Sequence, residues 1–187
     1  MIKVRKKKIA FLDRDGVINK DCGYVHKLDE LVWMEGVLSG LRKLLELKYE
    51  LFIVTNQSGI ARGYYSEDQF HIFMNGMIGK LKLEGIDILG YNFCPHHPDG
   101  LIKNLSIVCE CRKPKPKMVQ KVLYEEKVSG KDCILIGDKL TDIEAGMQAG
   151  IGKLFLLDHG FKSSGSKLFE NFKNWDQISE YLDDINY

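Results

Sequence analysis

Asp13 and Asp15 stand one residue apart, directly after the apolar run Ile9-Ala10-Phe11-Leu12 and directly before Gly16. Two carboxylates held this close repel each other, so they share a cation or take different protonation states and different work. Two other polar clusters follow apolar runs in the same way. Thr55-Asn56-Gln57-Ser58-Gly59 follows Leu51-Phe52-Ile53-Val54, and Gly137-Asp138-Lys139-Leu140-Thr141-Asp142 follows Cys133-Ile134-Leu135-Ile136. Taken singly these clusters read as a surface turn, a strand-ending turn and a loop before a helix cap. All three at the ends of apolar runs, in order, make a site that holds a hard cation beside an anionic group. No Gly-x-x-x-x-Gly-Lys-Ser/Thr run is present, so a P-loop nucleotide site is not supported.

A second constellation lies between the last two clusters. Cys94-Pro95-His96-His97-Pro98 is followed by Cys109-Glu110-Cys111, and three cysteines with a histidine suit a tetrahedral zinc site. The one-residue spacings are tighter than in most zinc fingers, and spacing alone leaves His96 and His97 both open as the nitrogen ligand. A disulfide is the rival and is disfavoured in a reducing compartment. With four protein ligands the metal is structural, bracing a loop of about residues 94–111. Cys111 runs straight into Arg112-Lys113-Pro114, so a fixed Cys111 aims Arg112 and Lys113, and Pro114 stiffens the exit.

The elements that position these residues follow from periodicity. Ile9–Leu12, Leu51–Val54, Ile88–Phe93, Cys133–Ile136 and Lys153–Leu157 read as strands. Helical spacing runs over 36–47, 66–83 (Ser66 as N-cap with Gln69 three residues on), 117–127, 141–149 (Thr141 as a possible N-cap) and around Trp175–Leu182. Strands alternating with helices predict an α/β fold, a Rossmann-like, mostly parallel sheet with helices on both faces. All four prolines fall between Phe93 and Met118, marking one long irregular excursion, and Ser163–Ser166 reads as a loop. The 187 residues are read as a single domain.

Composition narrows the function classes. Hydrophobic residues are 44% and charged residues 28% of the chain, a globular profile, and the net charge of +1 gives no strong pull toward nucleic acid or anionic lipid. Lys3, Arg5, Lys6, Lys7 and Lys8 make a basic start, read as a solvated flank. No long apolar segment follows, so neither a signal peptide nor a membrane anchor is expected and the cytoplasm is the expected compartment. Cys133 reads as a core residue. Nucleic-acid and membrane partners are not expected, and with no heptad pattern a monomer is the default.

In order and over nearly the whole chain, the motifs resemble the haloacid dehalogenase-like hydrolases. The resemblance implies Asp13 as nucleophile, Asp15 as general acid and then base, and Thr55 and Lys113 as stabilisers of the phosphoryl group. It also implies Mg²⁺ held by Asp13, Asp138 and the backbone carbonyl of Asp15. A hard cation with oxygen ligands suits that role, and protonating an alkoxide leaving group is worth ~10²–10⁴-fold. Phe11–Gly16, Gly23-Tyr24-Val25-His26, Val54–Gly63, Cys94–Pro98, Cys111–Pro114 and Gly137–Lys139 narrow the likeness to the branch that removes the 7-phosphate of D-glycero-D-manno-heptose 1,7-bisphosphate. That branch implies His96 as the fourth zinc ligand and no large cap domain. It implies substrate contacts from Asp21, Cys22, Gly23, Tyr24, Thr55, Asn56, Gln57, Ser58, Arg112, Lys113 and Lys139. The rival branch acts on histidinol phosphate, whose amine would favour acidic rim residues, whereas the rim candidates are Arg62, Arg112 and Lys139. A non-catalytic zinc scaffold is the reading from another class.

Overall fold

In the computed structural model, which describes residues 6–158 and 168–185, six parallel strands form one sheet. They are β1 (Ile9–Leu12), β2 (Glu50–Asn56), β3 (Ile88–Cys94), β4 (Ile134–Gly137), β5 (Lys153–Leu157) and β6 (Glu170–Phe172), in the order β3-β2-β1-β4-β5-β6. The helices are α1 (Val37–Glu46), α2 (Ser58–Ala61), α3 (Glu67–Leu83), α4 (Lys117–Glu125), α5 (Leu140–Gln148) and α6 (Trp175–Asp184).

Alternation along β1 divides the core. Ala10 and Leu12 face a layer containing Leu41 and Leu44 of α1, Phe70 and Phe73 of α3, and Trp175 and Ile178 of α6. Ile9 and Phe11 face the opposite layer, with Met118, Val119 and Val122 of α4 and Ile143 of α5. A strand buried on both sides needs apolar residues at every position, which is why the central strands read as unbroken runs. Register pairs Leu12 with Ile53 on one side and Ile136 on the other, so β1 and β4 end almost level while β2 runs three residues further, to Asn56. The strand order reverses direction between β1 and β4, and that is where open sheets leave a crevice at their carboxyl ends.

The predicted Rossmann-like sheet with helices on both faces is what the chain adopts. The capping box at α3 is present, with Ser66 Oγ accepting from Gln69 N (3.1 Å) and Gln69 Oε1 accepting from Ser66 N (2.8 Å). From Pro95 to Pro116 the chain holds no helix or strand. Three details differ. β6 was not foreseen, because Phe172 is the one buried residue in its three. α2 spans four residues, too short to show a period. α5 takes Lys139 rather than Thr141 as its N-cap, with the Asp142 carboxylate accepting from Lys139 N at 3.0 Å. The basic flank is not simply solvated. Lys6 pairs with Asp132 (2.6 Å), and Lys7 with Glu50 and Glu126 (2.7 Å each). Lys3, Arg5 and the expected Ser163–Ser166 loop lie outside the described residues.

Candidate active site

Asp13 continues the line of β1, its backbone N donating to Ile136 O of β4 at 3.0 Å. Its side chain is only 6% exposed, on the floor of the crevice. Lys113, 3% exposed, places its Nζ 2.9 Å from Asp13 Oδ1 and 2.7 Å from Asp142 Oδ1, and donates to Val54 O at 2.8 Å. Burial opposes the charge on Lys113, but Asp13 and Asp142 outweigh it and hold its pKa above the ordinary value. Asp138 completes the cluster, and one carboxylate oxygen each from Asp13, Asp138 and Asp142 lie within 4.8 Å of one another.

Three buried carboxylates against one buried ammonium leave excess negative charge. Burial, and then the Asp13 carboxylate, push the Asp138 pKa up to about 7. Burial likewise pushes Asp13 up, with Asp142 adding to it. Asp138 Oδ1 is buried with no protein partner. An orphaned carboxylate oxygen beside two other carboxylates is the donor set of a hard divalent cation, and the residues fit Mg²⁺. Asp142, the last residue of the third polar cluster, joins them, although the sequence reading gave it no role of its own. Its oxygens are engaged by Lys113 and by Lys139 N, which leaves Asp13 and Asp138 as the better-placed ligands. Gly16 makes room for this arrangement. Its φ is +84°, and a Cβ there would stand 2.4 Å from Asp138 Oδ2.

Asp15 stands apart from this cluster, and its carboxylate is held from three sides. Arg14 donates to it from Nε (3.1 Å) and Nη2 (2.8 and 2.7 Å), Asn19 Nδ2 at 3.0 Å, and Gln57 Nε2 at 3.1 Å. Gln57 Nε2 also lies 2.8 Å from Thr55 Oγ1, and Gln57 Oε1 accepts from Tyr65 OH at 2.6 Å. Gln57 was expected to contact substrate; at 2% exposed, its polar atoms are used by Asp15, Thr55 and Tyr65. Arg14, Asn19 and Tyr65 were missed. Arg14 reads as a spacer in the sequence, and the other two carry no local signal of a role.

A cavity of about 630 Å³ opens over these groups. Of the expected contacts, Asp21, Gly23, Tyr24, Thr55, Asn56, Gln57, Ser58, Arg112, Lys113 and Lys139 line it, and Tyr65, Pro114, Thr141 and Asp142 join them. Cys22 is exposed and is not part of the lining. Arg62 is not part of it either; its Nη2 lies 3.2 Å from His97 Nε2. Lys139 Nζ stands at the rim, 3.4 Å from Asp21 Oδ2 and 3.5 Å from Asp138 Oδ2.

The cysteine loop closes as a cluster. Cys94 Sγ lies 3.5 Å from Cys109 Sγ and 2.9 Å from Cys111 Sγ, and the Cys109 and Cys111 sulfurs are 3.4 Å apart. His96 Nδ1 lies 3.7 Å from Cys94 Sγ and 3.2 Å from Cys111 Sγ. A tetrahedral zinc with ~2.3 Å bonds to sulfur spaces its sulfurs by roughly 3.7 Å, so these four donors are arranged for one ion. The geometry selects His96, since His97 turns toward Arg62. All five cysteines are free of disulfides. Burial, then the hydrogen bond with Cys111, push the Cys94 thiol well up, a cost that a cation on the sulfur removes. Immediately beyond, Asn56 clamps the backbone of Lys113, accepting from its N (3.0 Å) and donating to its O (3.1 Å). Asn56 is thus a brace between the end of β2 and the loop as well as part of the lining.

Comparison with known proteins places the chain among relatives. A family model described as "HAD-hyrolase-like" matches residues 110–184. The chain is 46% identical over 159 residues to the D-glycero-alpha-D-manno-heptose-1,7-bisphosphate 7-phosphatase of Photorhabdus laumondii, covering 85% of this chain and 87% of that one. It is 43% identical over 150 residues to the D-glycero-beta-D-manno-heptose-1,7-bisphosphate 7-phosphatase of Yersinia pestis, covering 80% of each. Among solved structures, the D,D-heptose 1,7-bisphosphate phosphatase from B. bronchiseptica, complexed with magnesium and phosphate, superposes with a TM-score of 0.82 at 28% identity. That match covers 96% of this chain and 99% of that one.

Proposed function

The chain belongs to the D-glycero-D-manno-heptose-1,7-bisphosphate 7-phosphatases, a branch of the haloacid dehalogenase-like hydrolases, and we propose that it removes the 7-phosphate of that sugar bisphosphate through an aspartyl-phosphate. The observation that carries the reading is the buried Asp13 on the crevice floor, paired with Lys113 and flanked by the orphaned Asp138 carboxylate, beneath a basic rim.

The roles follow from the geometry. Asp13 attacks phosphorus with one carboxylate oxygen, a P–O bond to Asp13 forms, and the P–O bond to the sugar oxygen breaks. Asp15 gives its proton to the departing sugar oxygen, which would otherwise leave as a high-energy alkoxide. Water then attacks the phosphoryl-Asp13, Asp15 takes its proton back, and phosphate leaves with the carboxylate of Asp13 restored. Lys113 and the Thr55 hydroxyl stabilise the equatorial oxygens throughout. Asp13, Asp138 and the Asp15 carbonyl would hold Mg²⁺, which when bound would supply charge neutralisation between the carboxylates and the substrate. Arg112 and Lys139 suit the second phosphate, one cation on each side of the opening. Gly23, Tyr24 and Ser58 line the sugar's approach.

Zinc on Cys94, His96, Cys109 and Cys111 is a structural brace in this reading. Residues 1–187 act as one domain without a large cap, as a monomer in the cytoplasm. Among the described residues no helix is long and apolar enough to cross a membrane. The test is phosphate release with Mg²⁺ from the α and β anomers of heptose 1,7-bisphosphate beside histidinol phosphate. The expected result is a kcat/KM for one heptose anomer several orders above that for histidinol phosphate. The reverse preference would overturn the substrate, and no turnover of any of them in zinc-loaded protein would return the chain to the scaffold reading.

A further inference from the structure

Arg14 is fully buried, yet it carries a charge that desolvation disfavours. As a mere spacer between two aspartates it need not be a cation at all. Its guanidinium lies 4.8 Å from the ring centroid of Phe73 and 5.9 Å from that of Phe70, so its plane is fixed by α3. From that plane Nε and Nη2 reach both carboxylate oxygens of Asp15, while Nη2 also donates to Val25 O at 2.8 Å. Val25 closes the short segment that brings Asp21, Gly23 and Tyr24 to the rim. One buried side chain therefore joins the proton-transferring carboxylate on the floor to the segment that meets the sugar.

We infer that Arg14 is a positioning residue for this reaction, which aims the Asp15 carboxylate at the leaving oxygen and sets its height relative to the Asp21–Tyr24 segment. The inference rests on the phosphatase reading above. Arg14 touches no substrate. It acts through Asp15, and the planar fork is what the role needs, because three acceptor atoms lie around one guanidinium. A lysine ammonium is a point charge and does not reproduce that contact.

The leaving group provides the test. A sugar alkoxide needs a proton as it departs, whereas p-nitrophenolate leaves without one, and kcat/KM reports the steps up to that departure. Arg14→Lys is expected to lower kcat/KM for heptose 1,7-bisphosphate by about 10²-fold and to lower it for p-nitrophenyl phosphate only a few-fold. An equal fall on both substrates would make Arg14 merely structural, and no fall on either would remove its role; either result overturns the inference. Arg14→Met, which keeps an apolar stem against Phe73, is the second variant should the lysine variant fold poorly, with the same split expected. The substrate reading fails separately. If the wild-type enzyme ignored both heptose anomers but cleaved histidinol phosphate, that alcohol phosphate would serve as the alkyl arm and the comparison would still decide.

Discussion

Replacing Asp138 by asparagine should stabilise the metal-free protein and abolish its response to Mg²⁺. Burial and the Asp13 carboxylate raise the Asp138 pKa from 3.8 to about 7. The folded state therefore holds this proton more tightly than the unfolded chain does. The stability linked to that proton is fully present below about pH 4 and is lost as pH rises through 7. A shift of about three units, with the opposing pull of Lys139 already included, corresponds to at most about 4 kcal/mol, at ~1.4 kcal/mol per unit. An asparagine carries no charge and escapes this penalty, so metal-free Asp138→Asn should be about 2–4 kcal/mol more stable than wild type above pH 8. For a chain of this length that is roughly 5–15 °C in Tm. Only below about pH 4, where Asp138 is protonated in both the folded and the unfolded wild type, should the two melt together. Mg²⁺ at about a thousand times Kd should close or reverse the gap at high pH, since such binding is worth ~4.1 kcal/mol and only the wild type keeps the ligand. Thermal melts at both pH values, with and without Mg²⁺, read all four states. A variant that melts lower than wild type at pH 8 without metal, or that still gains Tm from Mg²⁺, would refute the charge-excess account of the cluster.

Three other perturbations test the rest of the site. Asp13→Asn should abolish turnover, by at least about 10⁴-fold, with the fold retained because Lys113 keeps Asp142 and Val54 O; near-normal phosphate release would remove the covalent mechanism. Cys109→Ser should lose the zinc measured by elemental analysis and lower kcat through the loop that carries Arg112 and Lys113; full metal content would count against the Cys₃His site. Gly16→Ala should weaken Mg²⁺ binding at least ten-fold, because φ is +84° and a Cβ would meet Asp138 Oδ2 at 2.4 Å; unchanged Mg²⁺ titration of a well-folded variant would show that the contact has room to relax.

Legibility in the sequence tracked how local each cause was. The three central strands were readable because burial on both faces demands unbroken apolar runs, and Asp13, Thr55 and Asp138 were readable because they end those runs. Lys113 was readable through Cys111, two residues away. Asp142 was seen in the third polar cluster but given no role, since its value to the site is its 2.7 Å pairing with a lysine 29 positions upstream, known only once α5 and the cysteine loop are packed together. Arg14 was passed over for a like reason. A charged residue between two aspartates looks solvent-facing until Phe73 and Val25 are placed around it. Gln57 was assigned to substrate through the family resemblance; it lines the cavity, and the structure adds that Tyr65, Asp15 and Thr55 engage its amide. Cys22 is exposed and outside the cavity lining, because adjacency in sequence to Asp21 and Gly23 does not fix which way an exposed side chain turns.

The same geometry explains why the cysteine loop and a sheet edge serve one lysine. Lys113 Nζ is fixed by Asp13, Asp142 and Val54 O, and its backbone is fixed at both N and O by Asn56. A buried ammonium is tolerated only where its partners are in place, and removing one partner strands the others. The irregular stretch from Pro95 to Pro116 has no hydrogen-bonded strand or helix of its own to hold that register. A four-ligand cluster ending at Cys111 supplies the missing rigidity within two residues of the charge, and Asn56 ties the same point to β2. Catalytic electrostatics of this kind depend on donors that do not reorganise as charge develops. The demand for a fixed cation at the floor therefore accounts for both the cysteine cluster and the Asn56 clamp, although neither touches the reacting atoms.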